Sequence, residues 1–81
     1  MSKVKVYVNL KRTVLDPEGQ TICSSLRKLG YKFVKNVRVG KMFEIEIDDN
    51  VEDVNKQIEE FCKKLLVNPI IEDFSYIIEE D

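Results

Sequence analysis

The sequence has no histidine, no tryptophan and no alanine, and only three glycines and two prolines among 81 residues. Without histidine, a Ser-His-Asp triad, histidine acid–base catalysis and every histidine-containing zinc site are excluded. The apolar fraction of 43% and the scarcity of glycine and proline are typical of a folded domain and not of a linker or repeat array. We therefore expect residues 1–81 to form a single domain.

The sequence also lacks a strong excess of either positive or negative charge, and it has no long hydrophobic run. Thirteen Lys and Arg residues against 15 Asp and Glu residues give a net charge of −2. A duplex-binding domain would normally show a basic excess, so we expect no nucleic-acid partner. No apolar run approaches the ~18 residues that a membrane span needs, and residues 1–5 begin a strand pattern and not a signal peptide. We expect a cytoplasmic protein with no membrane partner.

The two cysteines, Cys23 and Cys62, lie far apart in the sequence, each inside an apolar helical pattern. This spacing differs from the CxxC pair of a redox or metal site. We expect buried free thiols.

The N-terminal segment predicts a strand followed by a helix. Apolar and polar residues alternate from Val4 to Leu10, which is the period of a half-buried strand. Asp16 then stands where a helix cap is needed, followed by a proline suited to the first helical position. The predicted first helix runs from Pro17 to Leu29 and ends at Gly30, because glycine readily adopts positive φ.

The next segment places apolar residues at odd positions on both sides of the Gly40-Lys41 step: Val37, Val39, Phe43, Ile45 and Ile47. A two-residue hairpin at this step would pair Val37 with Glu44 and force a carboxylate onto the apolar face. A single long strand, bent at Gly40, keeps all five apolar residues on one side. We therefore predict the long bent strand.

A second helix and a last strand complete the pattern. Asp49 and Asn50 are predicted to cap the helix, with Glu52 completing a capping box. The predicted apolar stripe of this helix consists of Val51, Val54, Ile58, Phe61, Cys62 and Leu65. The Asn68-Pro69 pair stops it. The last strand is expected from about residue 71 to 78, with residues 79–81 as a solvated tail.

This order predicts an α+β two-layer sandwich, β-α-β-α-β, with an antiparallel sheet and both helices on one face. The other face stays bare. By parity it carries the residues Lys5, Tyr7, Asn9, Val34, Arg38, Met42, Glu44, Ile71, Ser75 and Ile77. Such a face is too apolar for a solvated surface, and a second copy of the chain is the simplest cover. We therefore predict a homodimer or a higher assembly.

No catalytic constellation emerges from the residue pattern. Adjacent carboxylates fall on predicted helix surfaces, turns or the tail, and no nucleophile stands beside a base. The Gly40-Lys41 step lacks the flanking residues of a phosphate-binding loop. Arg38 and Lys41 could bind an anion, or they could be solvated or interface charges, and the sequence leaves this open.

Three segments carry a family resemblance together. They are residues 15–19 (Leu-Asp-Pro-Glu-Gly), residues 37–45 (Val-Arg-Val-Gly-Lys-Met-Phe-Glu-Ile) and residues 62–74, which contain Leu-Leu-Val-Asn-Pro-Ile-Ile-Glu-Asp. In this order and spacing the chain resembles PurS, the family of small subunits of phosphoribosylformylglycinamidine synthase. The resemblance extends from the first strand to Tyr76.

The resemblance implies a non-catalytic subunit in purine biosynthesis. In that family a glutaminase subunit releases ammonia, and a synthetase subunit uses ATP to convert formylglycinamide ribonucleotide to formylglycinamidine ribonucleotide. The small subunit joins the two and assists ammonia transfer, and it forms dimers or tetramers. No cofactor is then expected in this chain, because ATP and Mg act in the synthetase subunit. No catalytic, cofactor-binding or metal residue is expected either.

We predict interface roles for residues of the motifs and of the bare sheet face. These residues are Tyr7, Arg38, Gly40, Lys41, Met42, Asn68, Glu72 and Ile77. The alternative is a small-molecule-sensing dimeric α+β regulatory domain, but the rigid Asp16-Pro17 step replaces the Gly-rich ligand-binding turn that such a domain would use.

Overall fold

The first strand, β1 (Ser2–Leu10), is the centre of a three-stranded sheet in the computed structural model, which describes residues 1–80. It is flanked by β2 (Gly40–Ile47) and β3 (Glu72–Glu80), and both neighbours run antiparallel to it. The strand order is β2-β1-β3. The predicted α+β class and antiparallel sheet are therefore confirmed.

One face of the sheet carries the core. The alternating valines of β1, Val4, Val6 and Val8, are fully buried. Their cross-strand partners continue the apolar surface, since Val6 pairs with Phe43 on one side and Tyr76 on the other. The second helix, α2 (Val54–Phe61), covers this face with the buried residue Ile58. Period-2 alternation thus predicted correctly which side chains of all three strands face inward.

The end of α2 widens into a single π-helical turn, Cys62–Leu66, closed by a bond of 2.9 Å from the Val67 amide to the Cys62 carbonyl. A π turn inserts an extra residue and rotates the side chains that follow. Cys62 stays fully buried, but Leu65 is 82% exposed and does not belong to the apolar stripe as expected. The helix does stop before Asn68, as predicted.

The start of α2 differs from the expectation. The helix begins at Val54, because Asn50 and Asp53 both adopt left-handed backbone conformations in the turn after β2. The predicted cap by Asp49 and its capping box are therefore wrong. The carboxylate of Asp49 instead lies 3.3 Å from the N-terminal amine of Met1.

The long bent strand is also corrected. Residues 34–39 have no strand pairing, and β2 begins at Gly40, the residue opposite Asn9 near the end of β1. In the β1–β2 register Val37 would lie opposite residue 12, beyond the end of β1 at Leu10, and the Val39 amide donates to the Asp16 carboxylate instead of pairing with a strand. The same correction removes Val34 and Arg38 from the bare sheet face, and Ile71 lies in the turn before β3. The hairpin alternative is absent too, since residues 40 and 41 both lie inside β2.

The first helix, α1 (Pro17–Lys28), has the predicted ends. Leu29 is its C-terminal cap, and Gly30 follows with φ of 109°. The Arg27 guanidinium donates to the carbonyls of Lys32 and Val34, which folds the segment after the helix back along it. We call residues 17–39 the α1 arm.

The α1 arm does not cover the sheet, contrary to the expected packing of both helices on one face. No residue of the arm belongs to the core cluster, and its apolar side chains Ile22, Leu29, Tyr31 and Phe33 are 39–78% exposed. The Cα atoms span 51 Å, longer than the roughly 30 Å of a nine-residue strand, because the arm extends beyond the end of the sheet. The radius of gyration is 16.4 Å, against about 12 Å expected for a compact domain of this size.

The last strand is longer than predicted. Glu79 and Glu80 belong to β3, and the Glu79 carboxylate lies 3.1 Å from the Lys5 ammonium. The prediction of a solvated tail is wrong for these two residues, and Asp81 lies outside the described residues. Within residues 1–80 no helix has the length and apolar character needed to cross a bilayer.

The stability of the sheet and α2 is predicted to depend on Ile58, which is 1% exposed and contacts the valines of β1. Ile58→Ala should lower the free energy of unfolding by about 2–5 kcal/mol, because it leaves a cavity, and Ile58→Val by only about 0.5–1.5 kcal/mol. Urea denaturation followed by circular dichroism measures both. Equal losses for the two variants would contradict this packing.

Candidate functional site

The three motif segments meet at one end of the sheet. Asn9 in β1 pairs with Gly40 at the start of β2, and Leu10 pairs with Glu72 at the start of β3. The chain leaves β1 here, enters α1 at Asp16 and returns at Val39. We call this region the sheet-end cluster and define it by Asp16, Arg38, Lys41, Asn68 and Glu72.

Asp16 connects the start of α1 to the start of β2. One carboxylate oxygen, Oδ1, accepts a hydrogen bond of 3.0 Å from the Gly19 amide, and the other, Oδ2, accepts one of 2.8 Å from the Val39 amide. The residue is only 5% exposed. The helix cap was predicted, but the bond to Val39, 23 residues away, was not, because no local pattern indicates it.

These contacts stabilise the charged form of Asp16. The backbone hydrogen bond from Val39 lowers the pKa of the carboxyl group most, followed by the bond from Gly19. Partial burial acts against this, and the nearby positive charge of Arg38 lowers the pKa further. A carboxylate is therefore the ionisation state that this junction requires.

Arg38 ties the same junction to the loop that follows β1. Its Nη2 donates to the carbonyls of Leu10 and Lys11 at 3.2 and 3.0 Å, and its Nη1 donates to the Val14 carbonyl at 3.4 Å. The side chain is exposed yet held by three backbone acceptors. It carries no salt bridge within residues 1–80, so its charge is not neutralised by direct pairing.

Lys41, Asn68 and Glu72 form the second half of the cluster. The Glu72 carboxylate accepts a bond of 2.8 Å from the Asn68 amide through Oε1, and its Oε2 lies 3.5 Å from the Lys41 ammonium. The Glu72 side chain is 12% exposed, and that of Lys41 is 60% exposed. Asn68 also accepts from the Ile70 amide at 3.1 Å, which shapes the turn into β3.

Two glycines allow the backbone to approach closely. A Cβ atom on Gly40 would overlap the Asn9 side chain and the Val8 carbonyl, and one on Gly19 would overlap the Val37 carbonyl. Gly40 is thus required by packing at the sheet end. The sequence pattern suggests a different role for Gly40, as the position of a bend in one continuous strand.

The open face of the sheet carries Tyr7, Met42 and Ile77, which are 37%, 51% and 46% exposed. Tyr7 and Met42 are cross-strand partners, and Ile77 pairs with Lys5. Ion pairs surround these apolar residues, with the Lys3 ammonium 2.8 Å from the Glu44 carboxylate. The hydrogen bond and charge of Lys3 lower the pKa of Glu44.

The structure thus divides the eight predicted interface residues into two groups. Arg38, Lys41, Asn68 and Glu72 meet at the sheet end, with Gly40 beside them, while Tyr7, Met42 and Ile77 share the open face. Whether either group contacts a partner stays a prediction. The sequence pattern does not identify Asp16 and Asn9 as members of the sheet end. The Asn9 side chain is one of the groups that leave no room for a Cβ atom at Gly40.

The reactive groups outside these two groups are held in ordinary packing. Both cysteines are free thiols, with Cys62 buried and Cys23 half-buried, and burial raises the pKa of the Cys62 thiol. Burial also raises the pKa of Tyr76, whose hydroxyl donates to Asn55 Oδ1 at 3.0 Å. No group of three or more metal-ligating side chains occurs in the described part of the chain.

These features define the class of protein: a small α+β protein with an antiparallel sheet open on one face and a motif-bearing cluster at one end. Comparison with known proteins gives the family. The family model described as PurS, phosphoribosylformylglycinamidine (FGAM) synthase, matches residues 3–80. The chain belongs to the PurS family, and the resemblance seen in its three motifs is confirmed.

Individual relatives agree along nearly the whole chain. The phosphoribosylformylglycinamidine synthase subunit PurS of Bacillus subtilis is 45% identical over 99% of this chain and 95% of its own length. A crystal structure of the B. subtilis protein superposes with a TM-score of 0.91 and covers 99% of this chain and 100% of that one. PurS from Methanocaldococcus jannaschii, with 44% identity, gives a TM-score of 0.89 over 100% and 99% of the two chains.

The Asp16 carboxylate predicts a specific dependence of stability on pH. Because its pKa is lowered in the folded state, the stabilisation is present above its ordinary value near 3.8 and is lost as the pH falls through the lower folded value. Asp16→Asn should therefore destabilise the chain at neutral pH, and the difference should shrink below about pH 4. Urea midpoints measured from neutral to acid pH test this. Glu60→Gln, on the exposed surface of α2, is the control, and a pH-independent loss in Asp16→Asn would contradict the prediction.

Proposed function

We propose that this chain is the non-catalytic subunit that joins a glutaminase and a synthetase subunit in a phosphoribosylformylglycinamidine synthase complex of purine biosynthesis. The observation that carries the proposal is the match to the structure of PurLQS from Thermotoga maritima. That chain is 29% identical, with a TM-score of 0.84, and the match covers 95% of both chains. The M. jannaschii relative is likewise described as one of the subunits of formylglycinamide ribonucleotide amidotransferase.

The chemistry of the chain supports a binding role. The sequence has no histidine, and burial raises the pKa of the Cys62 thiol, which disfavours its nucleophilic thiolate form. In this proposal ATP and Mg act in the synthetase subunit, and no cofactor binds this chain. Ammonia released from glutamine would be protonated in bulk water, so its source and its acceptor must be held together away from solvent. A rigid adaptor serves that need without reacting itself.

Self-association, as a dimer or tetramer, is part of the proposal, and two uncovered surfaces support it. The open sheet face exposes Tyr7, Met42 and Ile77, and the α1 arm exposes an amphipathic helix that contributes nothing to the core. An isolated helix of 12 residues is marginal in water, because most helix stability in proteins comes from packing an apolar face. A second copy would cover these surfaces by a two-fold symmetric contact.

The open sheet face is predicted to contribute to self-association. Ile77→Lys should weaken dimerisation roughly tenfold or more, because it removes apolar area on both copies and places a second ammonium opposite Lys5. Ile77→Val keeps the apolar character and should associate like the parent. Sedimentation velocity over a concentration series measures both, and circular dichroism checks the fold. A parent chain that stays monomeric throughout, or an Ile77→Lys variant that associates equally, would contradict the prediction.

The adaptor role predicts an activity that depends on this chain without residing in it. Glutamine-dependent formation of formylglycinamidine ribonucleotide by the cognate glutaminase and synthetase subunits, with ATP and Mg, should be lost when the chain is omitted and restored when it is added. Supplying ammonium salts instead of glutamine is the control, because free ammonia bypasses the transfer step. Equal glutamine-dependent rates with and without the chain would refute the role.

The sensing alternative can be separated from the adaptor role by titration. Isothermal titration of the chain with amino acids and nucleotides should give no saturable heat if it acts as an adaptor.

A cytoplasmic location remains part of the proposal, and it agrees with the two free thiols, which persist in reducing compartments.

A further inference from the structure

A groove beside the sheet-end cluster combines two arginines with two asparagine amides. Arg12, Asn36 and Arg38 line two adjoining depressions, and the larger of the two also contains Asn9. All four side chains are exposed. We call these residues the two-arginine groove.

The depressions of the two-arginine groove have volumes of about 320 Å³ and about 560 Å³, and both are open to solvent along the side where the α1 arm leaves the sheet. The smaller one also has apolar walls, formed by Val14, Leu15 and Val37. An open trough with apolar walls and amide donors fits an extended peptide segment better than an enclosed small molecule.

The groove keeps a net positive charge, because its lining holds two guanidinium groups and one carboxylate, that of Asp16. Arg38 is held by three neutral carbonyls, and Arg12 has no ion pair or hydrogen bond to any of residues 1–80. Neither oxygen of Asp16 is hydrogen-bonded to an arginine, since both accept backbone amides, and the Asp73 carboxylate pairs with Lys11 at 3.9 Å. The Arg38 guanidinium is fixed in place and so loses little freedom on binding a carboxylate, which a guanidinium group matches in geometry.

The chemistry of the groove favours a carboxylate over a phosphate group. The natural phosphate site would be the N-terminus of α1, but the Asp16 carboxylate occupies its Gly19 amide, and Pro17 has no amide hydrogen to donate. The remaining donors are guanidinium and side-chain amide groups. We propose that the two-arginine groove binds an acidic segment of a partner protein, with Arg12 and Arg38 on its carboxylates and Asn9 and Asn36 on its backbone.

This inference deepens the proposed function. It rests on the proposed function only for the identity of the partner protein. The first test therefore uses the full chain and a hexaglutamate peptide, followed by NMR of the arginine Nε–H and asparagine side-chain amide signals at low ionic strength. The peptide should perturb the signals of Arg12, Arg38, Asn9 and Asn36 in a saturable way. Arg12→Ala should raise the Kd about fivefold, whereas Lys56→Ala, on the exposed surface of α2, should leave it within about twofold.

Several outcomes would overturn the inference. They are an Arg12→Ala variant that titrates like the parent, perturbations spread evenly over the surface lysines, and pyrophosphate that binds the groove more tightly than the peptide. Loss of self-association in Arg12→Glu would show that a second copy occupies the groove, and it would overturn the choice of partner.

A second test uses the complex. Arg12→Glu should weaken the apparent affinity of the chain for the glutaminase and synthetase subunits and reduce its dependence on salt, while Lys56→Glu, with the same change in charge, should not. Peptide binding at the groove without any effect of omitting the chain on glutamine-dependent activity would refute the proposed function and leave the groove intact. The opposite pattern would refute the groove alone.

Discussion

The two hydrogen bonds accepted by the Asp16 carboxylate are the constraint on which the sheet end depends. One oxygen holds the first turn of α1 and the other holds Val39, the residue before β2. A side chain with two acceptor oxygens on a short stem is required, since asparagine would turn a donor toward one of the two amides. Arg38 completes the junction from the other side through three carbonyls of the loop after β1. The motif residues therefore act first on the backbone of their own chain.

This junction joins two parts of unequal stability. The sheet and α2 share a core of buried valines, Ile58 and Cys62, whereas the α1 arm contributes no residue to that core. The arm keeps an apolar surface in water, and the open sheet face does the same with Tyr7, Met42 and Ile77. Contact with other chains would stabilise a chain built in this way, and this is the basis of the self-association proposed above.

Much of the architecture could be predicted because it depends on local patterns. Alternation in the three strands identified the inward side chains, and Asp16, Pro17 and Gly30 marked the ends of α1. The start of α2 could not be predicted in this way, because Asp49 and Asn50 match a helix cap while the backbone instead turns through left-handed residues. The predicted extent of β2 was wrong for a different reason. The apolar alternation continues through Val37 and Val39, but Val37 lies past the end of β1 and the Val39 amide bonds to Asp16 instead of a strand.

The sequence predicted which residues belong to the candidate site better than it predicted how those residues are arranged. Motif spacing selected Arg38, Lys41, Asn68 and Glu72, but their side-chain contacts join positions up to 31 residues apart, as in the Lys41–Glu72 ion pair. The sequence by itself determined the strand periodicity, the caps of α1, the lack of histidine chemistry and the family, because each depends on residue type and short-range order. Only the tertiary structure decided that the α1 arm leaves the core uncovered and that Asp16 reaches Val39, because these follow from where β1 ends and from which backbone groups then meet in space.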